Sequence, residues 1–142
     1  MPVERVFVDT NVLLSGLVFR GNEARLLRLA SAGEIRLVLA EAVLAEAREV
    51  LQSKFPKHSE ALDRFLESVE YEFVPMPDHE SLSNLVEICR DPDDVFILAS
   101  IRDADPDWAL TGDKDLLTAN IRLILPICRC SDYLAARGGE PK

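Results

Sequence analysis

In this 142-residue chain, carboxylates lie at the ends of predicted strands, at the start of a predicted helix and at the border of the apolar face of another helix. They are Asp9 and Asp113, each just after an apolar run, Asp94 at the start of an apolar helix, Glu46 at the edge of an amphipathic helix, and Asp115 two residues beyond Asp113. Carboxylate oxygens are the ligands that Mg²⁺ and Mn²⁺ prefer. An ion held in this way can lower the pKa of a water, orient it and stabilise charge on a scissile phosphate. The pattern therefore predicts a site for Mg²⁺ or Mn²⁺ with chemistry that suits cleavage at a phosphate group.

Each of these acids, taken alone, also has an ordinary structural explanation. Asp9 and Asp94 can cap the helices beside them, because a carboxylate accepts hydrogen bonds from the free amides of a helix start. Glu46 lies about 40° outside the apolar stripe of its helix, where a solvated glutamate is common. Asp113 follows Gly112 in what can be a simple turn. Only their combined placement favours a shared metal site.

The acids are doubled at two of these places, so the primary ligands stay open. Asp93 precedes Asp94, and Asp115 follows closely on Asp113. Three acids before one helix, of which Asp91 is the first, exceed what capping needs. The excess indicates either a cation site or a solvated loop.

The sequence lacks the motifs of the main competing chemistries. It contains no Walker loop, no G-x-S-x-G elbow and no paired-cysteine motif. Its histidines, His58 and His79, do not follow predicted strands. Its cysteines, Cys89, Cys128 and Cys130, are expected to be buried thiols, with the last two on one face of a strand.

Charge and hydropathy limit the setting in which the chain works. With 25 acidic and 16 basic residues, its net charge of −9 disfavours broad, non-specific attraction to nucleic acid. It does not exclude a nuclease, because acids gathered in one metal site count toward this total and are offset by the ion. No apolar run is long enough for a membrane span, and no signal peptide is evident. We therefore expect a cytoplasmic protein without a membrane partner.

Strands and helices are predicted to alternate along one domain, residues 1–142. The predicted strands cover residues 3–8, 35–39, 71–75, 108–111 and 121–125. The predicted helices cover residues 11–19, 23–32, 41–53, 58–70, 79–89 and 94–103, with a closing helical turn at 131–137. Such alternation is typical of an α/β fold with a mostly parallel sheet, in which ligands bind at the carboxyl ends of the strands.

Four segments, in order, resemble the PIN domain family. They are VFVDTNVLLSG at residues 6–16, VLAEAREVL at 43–51, DPDDVFILAS at 91–100 and LTGDKDLL at 110–117. The resemblance implies a three-layer fold with a central, mostly parallel five-stranded sheet flanked by helices. It also implies that Asp9, Glu46, Asp94 and Asp113 are the catalytic metal ligands. We further predict that Asp115 is a reserve ligand and that Asn11 and Thr111 hold the carboxylates by hydrogen bonds.

The activity that this resemblance implies is Mg²⁺- or Mn²⁺-dependent cleavage of RNA. The chain resembles VapC-like toxins of bacterial toxin–antitoxin pairs in particular, and this resemblance also implies a small antitoxin partner and a homodimer. A non-catalytic binding or scaffold protein on the same fold is the alternative. A phosphatase with Asp9 as nucleophile is disfavoured, because Asn11 stands where a second aspartate is needed.

Overall fold

The computed structural model describes residues 3–78, Leu82 and 92–137 of the chain. Within these residues, five strands form one sheet in the order β3-β2-β1-β4-β5. They are β1 (Glu4–Val8), β2 (Ile35–Ala40), β3 (Tyr71–Val74), β4 (Trp108–Leu110) and β5 (Ile127–Cys128). All pairings are parallel, which confirms the predicted α/β class.

Helices cover both faces of this sheet. The described ones are α1 (Thr10–Val18), α2 (Asn22–Ser31), α3 (Glu41–Lys54), α4 (Ala61–Ser68), α5 (Pro92–Ala104), α6 (Ala119–Arg122) and α7 (Cys130–Ala136). Three consecutive residues of β1, Val6, Phe7 and Val8, are fully buried, and this requires protein on both faces because successive side chains point to opposite sides. None of the helices in the described ranges has the length and apolar character needed to cross a membrane.

Most predicted helices agree with the structure to within a few residues, with two differences and one helix that lies outside the described residues. The helix predicted over 58–70 is divided into a short 3-10 turn, Pro56–His58, and the later α4. The helix α5 begins at Pro92 rather than at Asp94, since proline is well suited to a first helical turn. The helix predicted over 79–89 lies outside the described residues, apart from Leu82.

The strand predicted over 121–125 is wrong. This segment continues α6 into helical turns, in which the amide of Leu125 donates to the carbonyl of Ile121 at 3.0 Å. Ile121 is buried, whereas Leu123 is 83% exposed, a pattern that suits a single helical turn against the core and not a buried strand. The pairing with β4 is made instead by β5, where the amide of Ala109 donates to the carbonyl of Pro126 at 2.9 Å.

The two described cysteines near this end do not share a strand. Cys128 ends β5, while Cys130 begins α7, so the prediction that they lie on one strand face is wrong. Both are buried free thiols, as predicted. Burial raises the pKa of the Cys130 thiol to about 12 and also raises the pKa of Cys128, so neither is ionised at neutral pH.

The first strand lies in the middle of the sheet, where the order of the strands reverses. After β1 the chain builds β2 and β3 on one side, then crosses back to build β4 and β5 on the other. The carboxyl ends of β1 and β4 therefore border a crevice at a topological switch point. Parallel α/β folds bind their ligands at such a crevice.

Arg5, at the opposite, amino edge of the sheet, fixes the far end of α5. Its guanidinium donates to the carbonyl oxygens of Ala104 and Asp105, at 2.8 Å each, where the helix has no further amides to offer. The same group forms two parallel 2.7 Å bonds with the carboxylate of Glu72 on β3. Arg5 thus joins β1, β3 and the end of the helix whose first turn carries Asp94.

Candidate metal centre

A cavity of about 440 Å³ opens at the carboxyl edge of the sheet, where β1 and β4 end; we call it the acid cavity. Its lining residues are Asp9, Thr10, Asn11, Ala42, Glu46, Met76, Asp94, Phe96, Ile97, Asp113 and Leu116. Four of these are carboxylates and, within the described part of the chain, none is a lysine or an arginine. The structure thus brings together the four acids for which the sequence predicted a common site.

Three carboxylates approach one another closely at this edge. One oxygen each from Asp94, Asp113 and Asp115 lies within 4.8 Å of the others, close enough for one ion to contact all three. Asp94 is buried in the first turn of α5, whereas Asp115 is exposed. Sequence reasoning held Asp115 in reserve, but the geometry includes it in this close group.

A short chain of hydrogen bonds shapes the turn after β4. The amide of Asp113 donates to the hydroxyl oxygen of Thr111 at 3.0 Å, and the amide of Asp115 donates to Oδ1 of Asp113 at 2.9 Å. The turn therefore holds both carboxylates near the end of β4. One oxygen of Asp113 is already engaged by the protein.

Asp9 is held from two sides at the end of β1. Its Oδ1 accepts a hydrogen bond from the amide of Val12 at 2.9 Å, capping α1, and its Oδ2 accepts one from the hydroxyl of Thr111. Burial raises the pKa of Asp9, these two hydrogen bonds partly offset the rise, and the negative charges of Asp113 and Glu46 add to it. Asp9 is both a helix cap and a member of an acidic group.

Glu46 and Asn11 line the acid cavity less tightly. Glu46 is an exposed side chain on α3, beside the buried Val43 and Ala47, as its helical position predicts. It lies outside the close group of three carboxylates. Asn11 makes no hydrogen bond to any carboxylate among the residues described, so the expected contact is seen for Thr111 but not for Asn11.

Sequence reasoning missed two features of this cavity, the buried Thr10 and the loop that carries Met76. Thr10 is buried in its lining, and its hydroxyl has no hydrogen-bond partner in the described part of the chain. Its position directly after Asp9, at the end of β1, was the available signal. Met76 comes from the loop after β3, where its amide donates to the carboxylate of Glu41 at 3.1 Å. No sequence pattern indicated that this loop reaches the cavity.

Two further expectations from the sequence concern Asp93 and the basic residues around the site. The side chain of Asp93 lies outside the described residues, so the choice between Asp93 and Asp94 is made only by the placement of Asp94 in the cavity. The scattered basic residues of the sequence that could form a cationic rim are Arg20, Arg25, Arg28, Arg48, Lys54 and Lys114. None of them belongs to the cavity lining.

The sequence matches a known family over most of its length. The model of the PIN domain family matches residues 5–115. None of the curated protein sequences compared with the chain matches it.

Solved structures share the fold at low sequence identity. In the crystal structure of VapBC2 from Rickettsia felis bound to a promoter DNA fragment, the matching chain is 15% identical with a TM-score of 0.67, over 88% of this chain and 98% of that one. A Pyrobaculum aerophilum protein is 14% identical with a TM-score of 0.65, over 94% of both chains. VapC20 of Mycobacterium tuberculosis, a toxin that cleaves the Sarcin-Ricin loop, is 18% identical with a TM-score of 0.52, over 79% of this chain and 92% of its own.

Proposed function

Because this chain belongs to the PIN domain family, we propose that it is a metal-dependent endoribonuclease and the toxin of a type II toxin–antitoxin pair. One observation carries the proposal. Carboxylate oxygens of Asp94, Asp113 and Asp115 lie within 4.8 Å of one another at the switch point of a parallel sheet. Carboxylates that crowd together so closely repel one another unless a cation lies between them.

The donor set fits a hard divalent ion, Mg²⁺ or Mn²⁺. All candidate ligands are carboxylate oxygens, while the described thiols, Cys128 and Cys130, are buried away from the cavity lining. We assign Asp9, Glu46, Asp94 and Asp113 as the residues that hold the ion, and the close group adds Asp115 to them. When bound, such an ion lowers the pKa of a water and offsets charge on the scissile phosphate.

The protein's own part in the chemistry is to keep these acids ionised and in place. Thr111 links the ends of β1 and β4, because its hydroxyl donates to Asp9 and accepts from the amide of Asp113. Hydrogen bonding to the charged form opposes the rise in the pKa of Asp9 that burial causes. We propose that Thr111 positions both carboxylates, with Asn11 as a further positioning residue on the cavity wall.

An antitoxin partner is the second part of the proposal. The described lining of the acid cavity is negative, so a small protein that inserts a cationic or polar segment would complement it. The chain shares its fold with VapBC2 and with VapC20, and VapC20 is described as a toxin. The cytoplasm is the expected location, since RNA and a newly made antitoxin are both present there. Homodimerisation also stays a prediction.

Cleavage of RNA under controlled metal conditions tests the activity. We expect cleavage of single-stranded RNA with Mg²⁺ or Mn²⁺ and none with excess chelator. Loss of a residue that only supports a metal ligand by a hydrogen bond lowers activity by up to about 100-fold. Asp94→Asn removes a ligand itself, so we expect the rate to fall by at least about 100-fold. Asp63→Asn is the matched control, because Asp63 is an exposed aspartate that is paired with Arg48 at 3.3 Å and does not line the cavity. No cleavage by the parent protein would favour a non-catalytic binding protein, and equal rates for the two variants would show that Asp94 does not belong to the site that cleaves RNA.

A further inference from the structure

A second, smaller cavity of about 170 Å³ adjoins the acid cavity. Asn11 lines both cavities, and Thr111, which lines the smaller one, donates a hydrogen bond to Asp9 of the larger one. The polar side chains that matter here are Ser15 on α1 and Arg129 and Ser131 at the junction of β5 and α7. The two cavities therefore lie on either side of the hydrogen bond that joins the ends of β1 and β4.

The smaller cavity supplies the positive charge that the larger one lacks. Arg129 is exposed on its wall and makes no ion pair within 4.0 Å in the described part of the chain. Glu23 lines the same cavity, but its carboxylate lies more than 4.0 Å from the guanidinium of Arg129. A guanidinium with free donors is well suited to a phosphate, which it can bind through two parallel hydrogen bonds.

The remaining polar groups suit a sugar–phosphate unit. Ser15, Ser131 and Asn11 offer two hydroxyls and one amide, which can pair with phosphate oxygens or with a ribose 2′-hydroxyl. A volume of about 170 Å³ is smaller than most drug-sized ligand sites and accommodates part of a nucleotide. If one phosphate of a single RNA strand lies over the acid cavity, the adjacent nucleotide reaches the wall of the smaller cavity.

We propose that Arg129 binds a backbone phosphate next to the scissile one, so that the smaller cavity is a substrate subsite for single-stranded RNA. This inference rests on the proposed nuclease function and extends it. In a chain with a net charge of −9, attraction at long range does not favour RNA. A local cation acts within the screening length of about 10 Å and can hold the strand beside the acids.

The test compares cleavage of a pool of short, randomised single-stranded RNAs by the parent protein and by Arg129→Ala over a range of salt concentrations. We expect KM to rise about 10-fold with kcat nearly unchanged, because the contact lies beside the reacting phosphate and not on it. The slope of log kcat/KM against log salt concentration is negative, and it should become less steep by about 0.7. This is the contribution of one phosphate contact to a single strand, about 0.7. Arg129→Lys, which keeps the charge, should keep the slope.

Arg122→Ala is the matched control. Arg122 is an exposed arginine that lines a different cavity, near Trp108 and Arg137 at the amino edge. The described hydrogen bonds of Arg129 use only its backbone carbonyl, so the alanine variant should fold, and a thermal melt checks this. If the parent cleaves RNA and both alanine variants match it in KM and in salt slope, the subsite is refuted while the nuclease proposal stands. Absence of cleavage by the parent overturns both.

Discussion

At the amino edge of the sheet charged side chains are paired, whereas at the carboxyl edge carboxylates face one another. Arg5 binds Glu72 at 2.7 Å, and Arg137 lies 4.0 Å from Glu4 and 3.8 Å from Glu34. The pKa of Glu72 is lowered, first of all by its hydrogen bonds to Arg5.

At the carboxyl edge, the pKa of a carboxyl group is shifted in the opposite direction. The pKa of Asp9 is raised, mainly by burial and further by Asp113 and Glu46. Ionised side chains stabilise the fold at the first edge and oppose it at the second. The difference indicates that the charges of one edge contribute to stability, while the facing carboxylates of the other repel one another unless a positively charged group binds between them.

Removing the central pair of the amino edge should have the largest effect on stability. Arg5→Met keeps most of the aliphatic stem but loses the bonds to Glu72 and to the carbonyl end of α5. We expect a loss of about 2 to 3 kcal/mol, below the value for a fully buried pair because the Arg5 side chain is 33% exposed. Urea denaturation measures it.

Arg48→Met is the control for this loss. Its pair with Asp63 is longer, at 3.3 Å, and its side chain is 48% exposed, so the cost should stay below about 0.5 kcal/mol. Equal losses in the two variants would mean that the amino edge is an ordinary solvated surface.

Removing one charge from the carboxyl edge should not lower the stability of the metal-free protein, in contrast to Arg5→Met. Asp113→Asn keeps the oxygen that accepts from the amide of Asp115 while it removes one of the facing charges. We expect a metal-free melting temperature equal to or above that of the parent. Excess Mg²⁺ or Mn²⁺ should stabilise the parent by about 1.4 kcal/mol at ten times the dissociation constant, a few degrees of melting temperature, and the variant much less.

Asp63→Asn serves as the control here as well and should keep the metal response of the parent. A variant of Asp113 that melts lower without metal and responds to metal as the parent does would show that these acids are separate caps and turns.

The smallest expected effect is on the pH dependence of stability. A carboxyl whose pKa is lowered by folding contributes stability above its unfolded pKa of about 4.3 and loses it as the pH falls through the folded value. Glu72→Gln should therefore cost about 1 kcal/mol at pH 7, and the gap to the parent should close in acid below about pH 4. Denaturation curves between these pH values measure the gap, and a gap that does not depend on pH would contradict the role of the Glu72 charge.

The sequence alone predicted the features that rest on a long amphipathic pattern or on a general rule for parallel sheets. The amphipathic pattern predicted a helix over 41–53, and α3 spans Glu41–Lys54. The rule that ligands bind at the carboxyl ends of parallel strands led from Asp9 and Asp113 to the cavity that both of them line.

The sequence was insufficient where a short apolar segment had two possible structures. Residues 121–125 were assigned to the last strand, but the alternation of isoleucine and leucine there also fits a helical turn. The true end of β5 is Cys128, so Arg129 follows a strand end and escaped notice among the basic residues. The close grouping of Asp113 with Asp115 depends on the hydrogen-bonded turn between them, which local spacing does not determine.

The hydrogen bond between Thr111 and Asp9 joins residues 102 positions apart in the chain. During synthesis at about 5 to 20 residues per second, roughly 5 to 20 s separate the appearance of Asp9 from that of its partner. The acids at the end of β1 and those beyond β4 meet only when β4 pairs with β1, a contact of high sequence separation that forms slowly in folding. The acid cavity therefore cannot assemble on a nascent chain before β4 and the turn after it have been made, and any nuclease activity begins only after Asp113 has been translated.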